Sequence, residues 1–259
     1  MHRVLIIAGS DPSGGAGIQA DIKTVTCLGG YAMTAITALT VQNTLGVSDV
    51  MAVPPDFITA QAMACLDDIG ADAIKTGMLA DIEVMEAVSL VLESAHIFTV
   101  VDPVMVAKGG HALMKDRAVD AMKALMLPLA DLLTPNTPEA MALTGLRIEN
   151  EDDVRKAGAA LLGMGAKNVL IKGGHLEGPE VVDFLFTAEG EHRFTSERID
   201  TKHTHGTGCT LASACAALTR AARPLQETVG LARDYVGGAI LMAPGLGEGH
   251  GPLRHNWLL

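Results

Sequence analysis

Short apolar runs rich in β-branched residues alternate along the chain with segments of helical period. Val4–Ala8, Ala32–Val41, Ala73–Thr76, Phe98–Asp102, Leu132–Thr134 and Val169–Lys172 read as strands, each stopping at a glycine, a proline or a polar residue. Between them the period changes. In Asp81–Leu92, Ile82, Met85, Val88 and Leu92 share one helical face behind Asp81 as N-cap, and in Asn150–Leu162, Val154, Ala157 and Leu161 do so behind Asn150. Val181–Thr187 and His192–Arg198, joined through Ala188-Glu189-Gly190, read as a late antiparallel hairpin. Two alanine-rich helices, Thr207–Ala222 and Leu225–Leu241, follow. Strands alternating with helices imply a mostly parallel sheet covered on both faces, an α/β/α arrangement in three layers. With no repeat, low-complexity tract or long linker, residues 1–259 are expected to form one domain.

Unusual residues gather where these strands stop. Gly9-Ser10-Asp11, Gln42-Asn43, Lys75-Thr76-Gly77-Met78, Asp102-Pro103, Thr134-Pro135-Asn136 and Lys172-Gly173-Gly174 each follow or end a strand. In open α/β sheets ligands bind outside the carboxyl ends of the strands, so these six ends are expected to build one site.

Composition narrows what that site handles. The 19 basic and 30 acidic residues give a net charge of −11, and aromatic residues make up 3% of the chain, a poor match to phosphate-backbone tracking or base stacking; no nucleic-acid partner is expected. The balance of 49% apolar to 19% charged residues is that of a folded globule. Four cysteines without a C-x-x-C pair make no disulfide framework and fit free thiols in a reducing compartment. The apolar run at the start of the chain stops at Gly9, and no stretch approaches the roughly 18 residues of a membrane span, so a cytoplasmic protein without membrane partners is expected.

Gly206-Thr207-Gly208-Cys209-Thr210 opens a helix, and two glycines at a helix start present amides and partial positive charge to an oxyanion or phosphate. The same field is expected to lower the pKa of the Cys209 thiol. His203 and His205 just upstream leave a zinc reading open, and Cys209 with a histidine leaves a cysteine hydrolase open. Gly9–Gly17 has neither the G-x-G-x-x-G spacing nor an acid at the end of the second strand, which removes the dinucleotide reading, and no G-x-x-x-x-G-K-[ST] sequence is present. Asp102 and Asn136-x-x-Glu139 supply oxygens suited to Mg²⁺; taken singly, they are a turn aspartate and a first-turn glutamate. Lys172 is placed to reach a phosphate, though a lone strand-end lysine is ordinarily solvated. Lys108-Gly109-Gly110 reads as a flap after Asp102, or as a plain surface turn.

Taken in order, Ala8–Asp21 (Ala-Gly-Ser-Asp-Pro-Ser-Gly-Gly-Ala-Gly-Ile-Gln-Ala-Asp), Thr40–Thr44, Lys75–Leu79, Asp102–Met105, Thr134–Glu139, Lys172–His175 and His205–Thr210 resemble the hydroxymethylpyrimidine/phosphomethylpyrimidine kinases, of the ribokinase-like group, over nearly the whole chain. Gly109 departs from the Lys-Ser-Gly more usual in that flap. The resemblance implies a ribokinase-like kinase of thiamine biosynthesis. It would use ATP and Mg²⁺ to phosphorylate 4-amino-5-hydroxymethyl-2-methylpyrimidine to the monophosphate and then the diphosphate. It places Gly9, Asp21, Gln42, Met78 and Val104 around the pyrimidine, and Asn136, Lys172 and Thr207 on ATP. Lys108 falls on the phosphate flap and Asp102 and Glu139 at Mg²⁺. Cys209 stands where sugar-kinase relatives carry an aspartate base, with Gly206 and Gly208 beside it. It also implies a homodimer. A pyridoxal or other vitamin-alcohol kinase of the same build is the alternative, and a non-catalytic pyrimidine-binding protein would need none of Cys209, Glu139 and Lys172.

Overall fold

The computed structural model describes residues 1–105 and 116–259; Lys108 and the flap around it lie outside the described residues. In chain order the elements are β1 Arg3–Ser10, α1 Gly17–Cys27, β2 Tyr31–Asn43, β3 Gly46–Ala52, α2 Pro55–Asp68, β4 Ala73–Thr76, α3 Ile82–Ala95, β5 Thr99–Val101, α4 Asp116–Ala121, β6 Leu132–Leu133, α5 Thr137–Thr144, α6 Glu151–Gly163, β7 Val169–Ile171, β8 Glu180–Thr187, β9 Gly190–Glu197, α7 Thr207–Leu218 and α8 Leu225–Leu241. All nine strands join one sheet in the order β3-β2-β1-β4-β5-β6-β7-β8-β9. From β2 to β7 every neighbouring pair is parallel, while β3, β8 and β9 each pair antiparallel with the preceding strand.

The side-chain period of two along a strand sorts the core into two layers. Leu5 and Ile7 of β1 pack with α2, α3, α5 and α6 on one face. Val4, Ile6 and Ala8 pack with α1, α7 and α8 on the other. The small residues Ala212, Ser213, Ala214, Ala216 and Ala217 bring α7 close against the sheet, and all are buried.

Both expected caps are in place: Asp81 accepts from the Val84 amide at 2.9 Å and Asn150 from the Asp153 amide at 3.1 Å. The late hairpin turns on Ala188-Glu189 with Thr187 opposite Gly190, so β9 starts two residues earlier than the sequence pattern suggests. The first alanine-rich helix ends at Leu218 instead of Ala222, because Thr219 is already extended with ψ 140°. β3 and α2 carry no pattern strong enough to announce them. β3 is an edge strand exposed along much of its length, and α2 opens on prolines with a weak apolar face.

Candidate active site

The parallel strands all point their carboxyl ends to one edge, and β1 lies where the sheet order reverses, with β2 on one side and β4 on the other. A cleft of about 1550 Å³ opens there, walled by residues after β1, β2, β4, β5, β6 and β7 and by the start of α7. Gly9, Gln42, Met78, Val104, Asp102, Asn136, Glu139, Lys172, Gly206, Thr207, Gly208 and Cys209 all line it.

At the mouth of α7, Gly206 takes a left-handed conformation with φ +82°, and a Cβ there would collide with the Gly15 carbonyl oxygen. That close approach locks the loop after β1 against the start of α7, a contact only glycine allows. The first-turn amides of α7 have no intrahelical acceptor and face the cleft end of the helix. A Cβ on Gly208 would lie 3.2 Å from Lys172 Nζ and 3.9 Å from Asp102 Oδ2, which shows how near the amide turn is to the charged cluster.

That cluster is built by β5, β7 and α5. Lys172 Nζ donates to Asp102 Oδ1 at 3.0 Å and lies 4.0 Å from Glu139 Oε2. Thr134 Oγ1 donates to the same Asp102 oxygen at 3.0 Å. Asn136 and Glu139 form a capping box, the Asn136 amide donating to Glu139 Oε2 and the Glu139 amide to Asn136 Oδ1, both at 2.8 Å. Glu139 therefore is the first-turn glutamate of the plainer reading and a member of the cleft at once. Burial pushes its carboxyl up to about 7, with Lys172 opposing and Asp102 adding to the rise. Burial also works against the Lys172 ammonium, but Asp102 and Glu139 outweigh it and hold that lysine above its ordinary value.

Two expectations are corrected. Asp21 does not line the cleft: it is fully buried behind it, accepting from Lys75 Nζ at 2.8 Å and from Ser213 Oγ at 2.7 Å. Its α1 position turns it toward the sheet, so it reaches the cleft only through Lys75, which is itself fully buried and does line the cleft. Burial disfavours the Lys75 ammonium, yet Asp21, Cys209 and Asp102 overcome this and keep it charged. The Cys209 thiol, expected to be acidified, is instead pushed up to about 11. Burial is the main cause; Lys75 and the Gly17 amide pull it down, and Asp21 and Asp102 push it further up.

Several residues here escaped the sequence reading. Lys75 was visible as a lysine inside an apolar strand, a position that demands an acid partner. Asp11 is 2% exposed and pairs with His205 Nε2 at 2.8 Å, so that ring nitrogen is engaged by a carboxylate. Among the described residues no group of three or more histidine, cysteine or carboxylate side chains converges for a metal. Arg233 of α8 donates to Asp183 Oδ2 at 2.7 Å at the far side of the cleft, and nothing local in the sequence marks that pair.

A family model described as phosphomethylpyrimidine kinase matches residues 11–254. The chain belongs to this family. It is 47% identical over 261 residues to the hydroxymethylpyrimidine/phosphomethylpyrimidine kinase of Salmonella typhimurium, a match covering 98% of each. It is 51% identical over 253 residues to the thiamine biosynthesis bifunctional protein ThiED of Geobacter sulfurreducens, covering 97% of this chain and 52% of ThiED; the chain spans about half the length of that relative. Among solved structures, Bacillus subtilis pyridoxal kinase bound to ADP matches with a TM-score of 0.92 at 36% identity, covering 100% of this chain and 98% of the other. Phosphomethylpyrimidine kinase from Clostridium difficile matches with a TM-score of 0.83 at 39% identity, covering 93% and 100%. The three-layer sheet with its late hairpin is thus the ribokinase-like fold, and this is a family of kinases.

Proposed function

We infer that the cleft moves the γ-phosphoryl group of ATP, first to the hydroxymethyl oxygen of 4-amino-5-hydroxymethyl-2-methylpyrimidine and then to the phosphate of the monophosphate, as two steps of thiamine biosynthesis. The observation that carries this reading is the meeting, in one cleft, of the α7 amide turn, the Lys172–Asp102–Glu139 cluster and a wall of Gly9, Gln42, Met78 and Val104. The α7 amides hold the travelling phosphoryl oxygens, and Lys172, Asn136 and Thr207 approach the ATP phosphates. Gly9, Met78 and Val104 pack on the ring, while Gln42 meets its polar edge with a donor and an acceptor. Asp102 and Glu139 would hold Mg²⁺ directly or through water: both offer carboxylate oxygens within the one charged cluster around Lys172. When bound, the ion neutralises charge on the transferring phosphate. In the first step the acceptor oxygen bonds to the γ-phosphorus as the bond to the β-phosphate oxygen breaks and ADP leaves. The hydroxyl proton passes late to the thiolate form of Cys209, a minor form near neutral pH because the thiol is pushed up to about 11; a loose transition state asks little of its base. A phosphate acceptor is already ionised and needs no such transfer.

The test is an ADP-release assay with ATP–Mg²⁺ and three acceptors: the pyrimidine alcohol, its monophosphate and pyridoxal. Turnover of both pyrimidines supports the reading, and turnover of pyridoxal alone overturns it. Pyridoxal is the second reading because the pyridoxal kinase of Bacillus subtilis shares the fold at a TM-score of 0.92. The same proposal carries the homodimer that the resemblance implies, for which sedimentation at twice the chain mass is expected and a single-chain boundary is the contrary result. It also carries a cytoplasmic location, in keeping with four unpaired cysteines. No helix among the described residues is long and apolar enough to cross a membrane.

A further inference from the structure

Asp11, His205 and Gln42 form a polar chain in the cleft wall, of which the reaction above uses only Gln42. His205 Nε2 lies 2.8 Å from Asp11 Oδ2 and 3.3 Å from the end of the Gln42 side-chain amide. Asp11 and His205 are 2% and 4% exposed. Asp11 also accepts from the Ser13 amide at 2.9 Å, from Ser13 Oγ at 2.7 Å and from the Ala16 amide at 2.8 Å. Burial pushes the Asp11 carboxyl up, but the hydrogen bonds from His205, Ser13 and Ala16 outweigh it and leave it below the ordinary carboxylate range. An ionised carboxylate only accepts, so the hydrogen between Asp11 and His205 belongs to Nε2 of the histidine.

This fixes the next link. An Nε2–H cannot also receive a hydrogen, so the group of Gln42 that faces it is the amide oxygen; the opposite facing would set two donors against each other. Oxygen and nitrogen of an amide have nearly the same shape, and hydrogen count decides between them. The structure draws Gln42 with Nε2 toward His205 and Oε1 3.2 Å from Thr40 Oγ1; exchanging these two atoms of like shape turns the nitrogen to Thr40 Oγ1. That hydroxyl gives its own hydrogen to the Ser10 carbonyl at 2.8 Å and has a lone pair left to receive one. Every donor in the chain from Asp11 to Ser10 meets an acceptor in this arrangement only.

We propose that the Asp11–His205 pair sets the facing of the Gln42 amide, making His205 a positioning residue for the recognition of an aminopyrimidine edge. Gln42 keeps one free hydrogen on its nitrogen and one free lone pair on its oxygen. Together they match a ring nitrogen beside an exocyclic amine. A pyridine ring without that amine cannot fill both. The inference rests on the kinase reading for its substrate but not for its geometry.

Two substitutions and one spectrum test it. His205→Phe removes the donor, and His205→Gln keeps an N–H in reach of Asp11. For His205→Phe the KM for the pyrimidine alcohol rises about tenfold, the loss of one well-placed hydrogen bond, while the KM for ATP stays within about twofold. The preference for the pyrimidine over pyridoxal falls by a similar factor, and His205→Gln recovers most of it. Equal losses on both acceptors would overturn the proposal, since a purely structural role predicts that. Should the Phe variant fail to fold, a long-range ¹H–¹⁵N spectrum of the histidine-labelled wild-type protein, assigned with His205→Gln, reads the proton directly. A hydrogen on Nε2 is expected, and a bare Nε2 with the hydrogen on Nδ1 overturns the assignment. Because the spectrum needs no substrate, inactivity of the wild-type protein toward the pyrimidine would count against the kinase reading alone.

Discussion

Cys209 sits between opposing fields. The start of α7, Lys75 and the Gly17 amide favour the thiolate, while burial, Asp21 and Asp102 favour the thiol and prevail, pushing it up to about 11. If its thiolate takes the acceptor proton, raising the pH populates the reactive form, so kcat of the first phosphorylation climbs toward about pH 11 and that of the second stays flat. Cys209→Ala should slow the first step about a hundredfold, abolish its pH slope, and leave the second step nearly intact. Steady-state rates with each acceptor across pH check this, and equal losses in both steps contradict it. Lys75 gives a second prediction. Its removal as Lys75→Met strands the buried Asp21 carboxylate and should cost about 3–5 kcal/mol in a denaturant titration, whereas a surface-like pair would cost under about 1 kcal/mol. The glycines and Cys209 were legible as a helix-opening turn because a helix start is a local feature. The sign of the thiol shift was not, since Asp21 and Asp102 reach Cys209 from elements far away in the chain.

At the scale of elements, α7 carries the site and the core together. Its first residue follows a left-handed Gly206 pressed against Gly15, so Gly206→Ala combines a strained φ with a backbone clash. It should lose more than about 2 kcal/mol of stability and most activity. A thermal melt with near-native midpoint would refute this account of the turn. One turn further on, Thr210 Oγ1 lies 3.0 Å from Nε2 of the buried His255, tying the last described segment to α7. Burial, with Lys23 adding, lowers His255 to about 4. A histidine buried in its neutral form stabilises the fold fully above its unfolded value near 6.5, and this contribution is lost as pH falls toward about 4. The loss amounts to about 3 kcal/mol, read as a falling denaturation midpoint that His255→Gln should flatten. Caps and apolar periods made most helices legible, as Asp81 and Asn150 show. β3 escaped because its Ser48 and Asp49 face solvent at a sheet edge, and a strand without a buried face leaves no alternation to read.

For the whole molecule, parallel pairing from β2 to β7 sends six strand ends to one edge, which is why residues scattered from Gly9 to Cys209 meet in a single cleft. That convergence was legible before any coordinates, because the direction of a parallel strand fixes where its carboxyl end must lie. What the chain order could not supply was depth. Asp21 and Lys75 lie in the floor and Gln42 in the wall, and only packing of α1 and α7 against the sheet separates them. The account as a whole stands on one arrangement, in which the α7 amides hold the transferring phosphoryl group and Cys209 faces the acceptor oxygen. The most direct measurement is a crystal structure with a non-hydrolysable ATP analogue, Mg²⁺ and the pyrimidine alcohol. It should place the γ-phosphate on the amides of residues 206–209 and the hydroxymethyl oxygen within hydrogen-bond reach of Cys209 Sγ. A γ-phosphate bound away from that turn, or a hydroxymethyl group pointing away from Cys209, would contradict it.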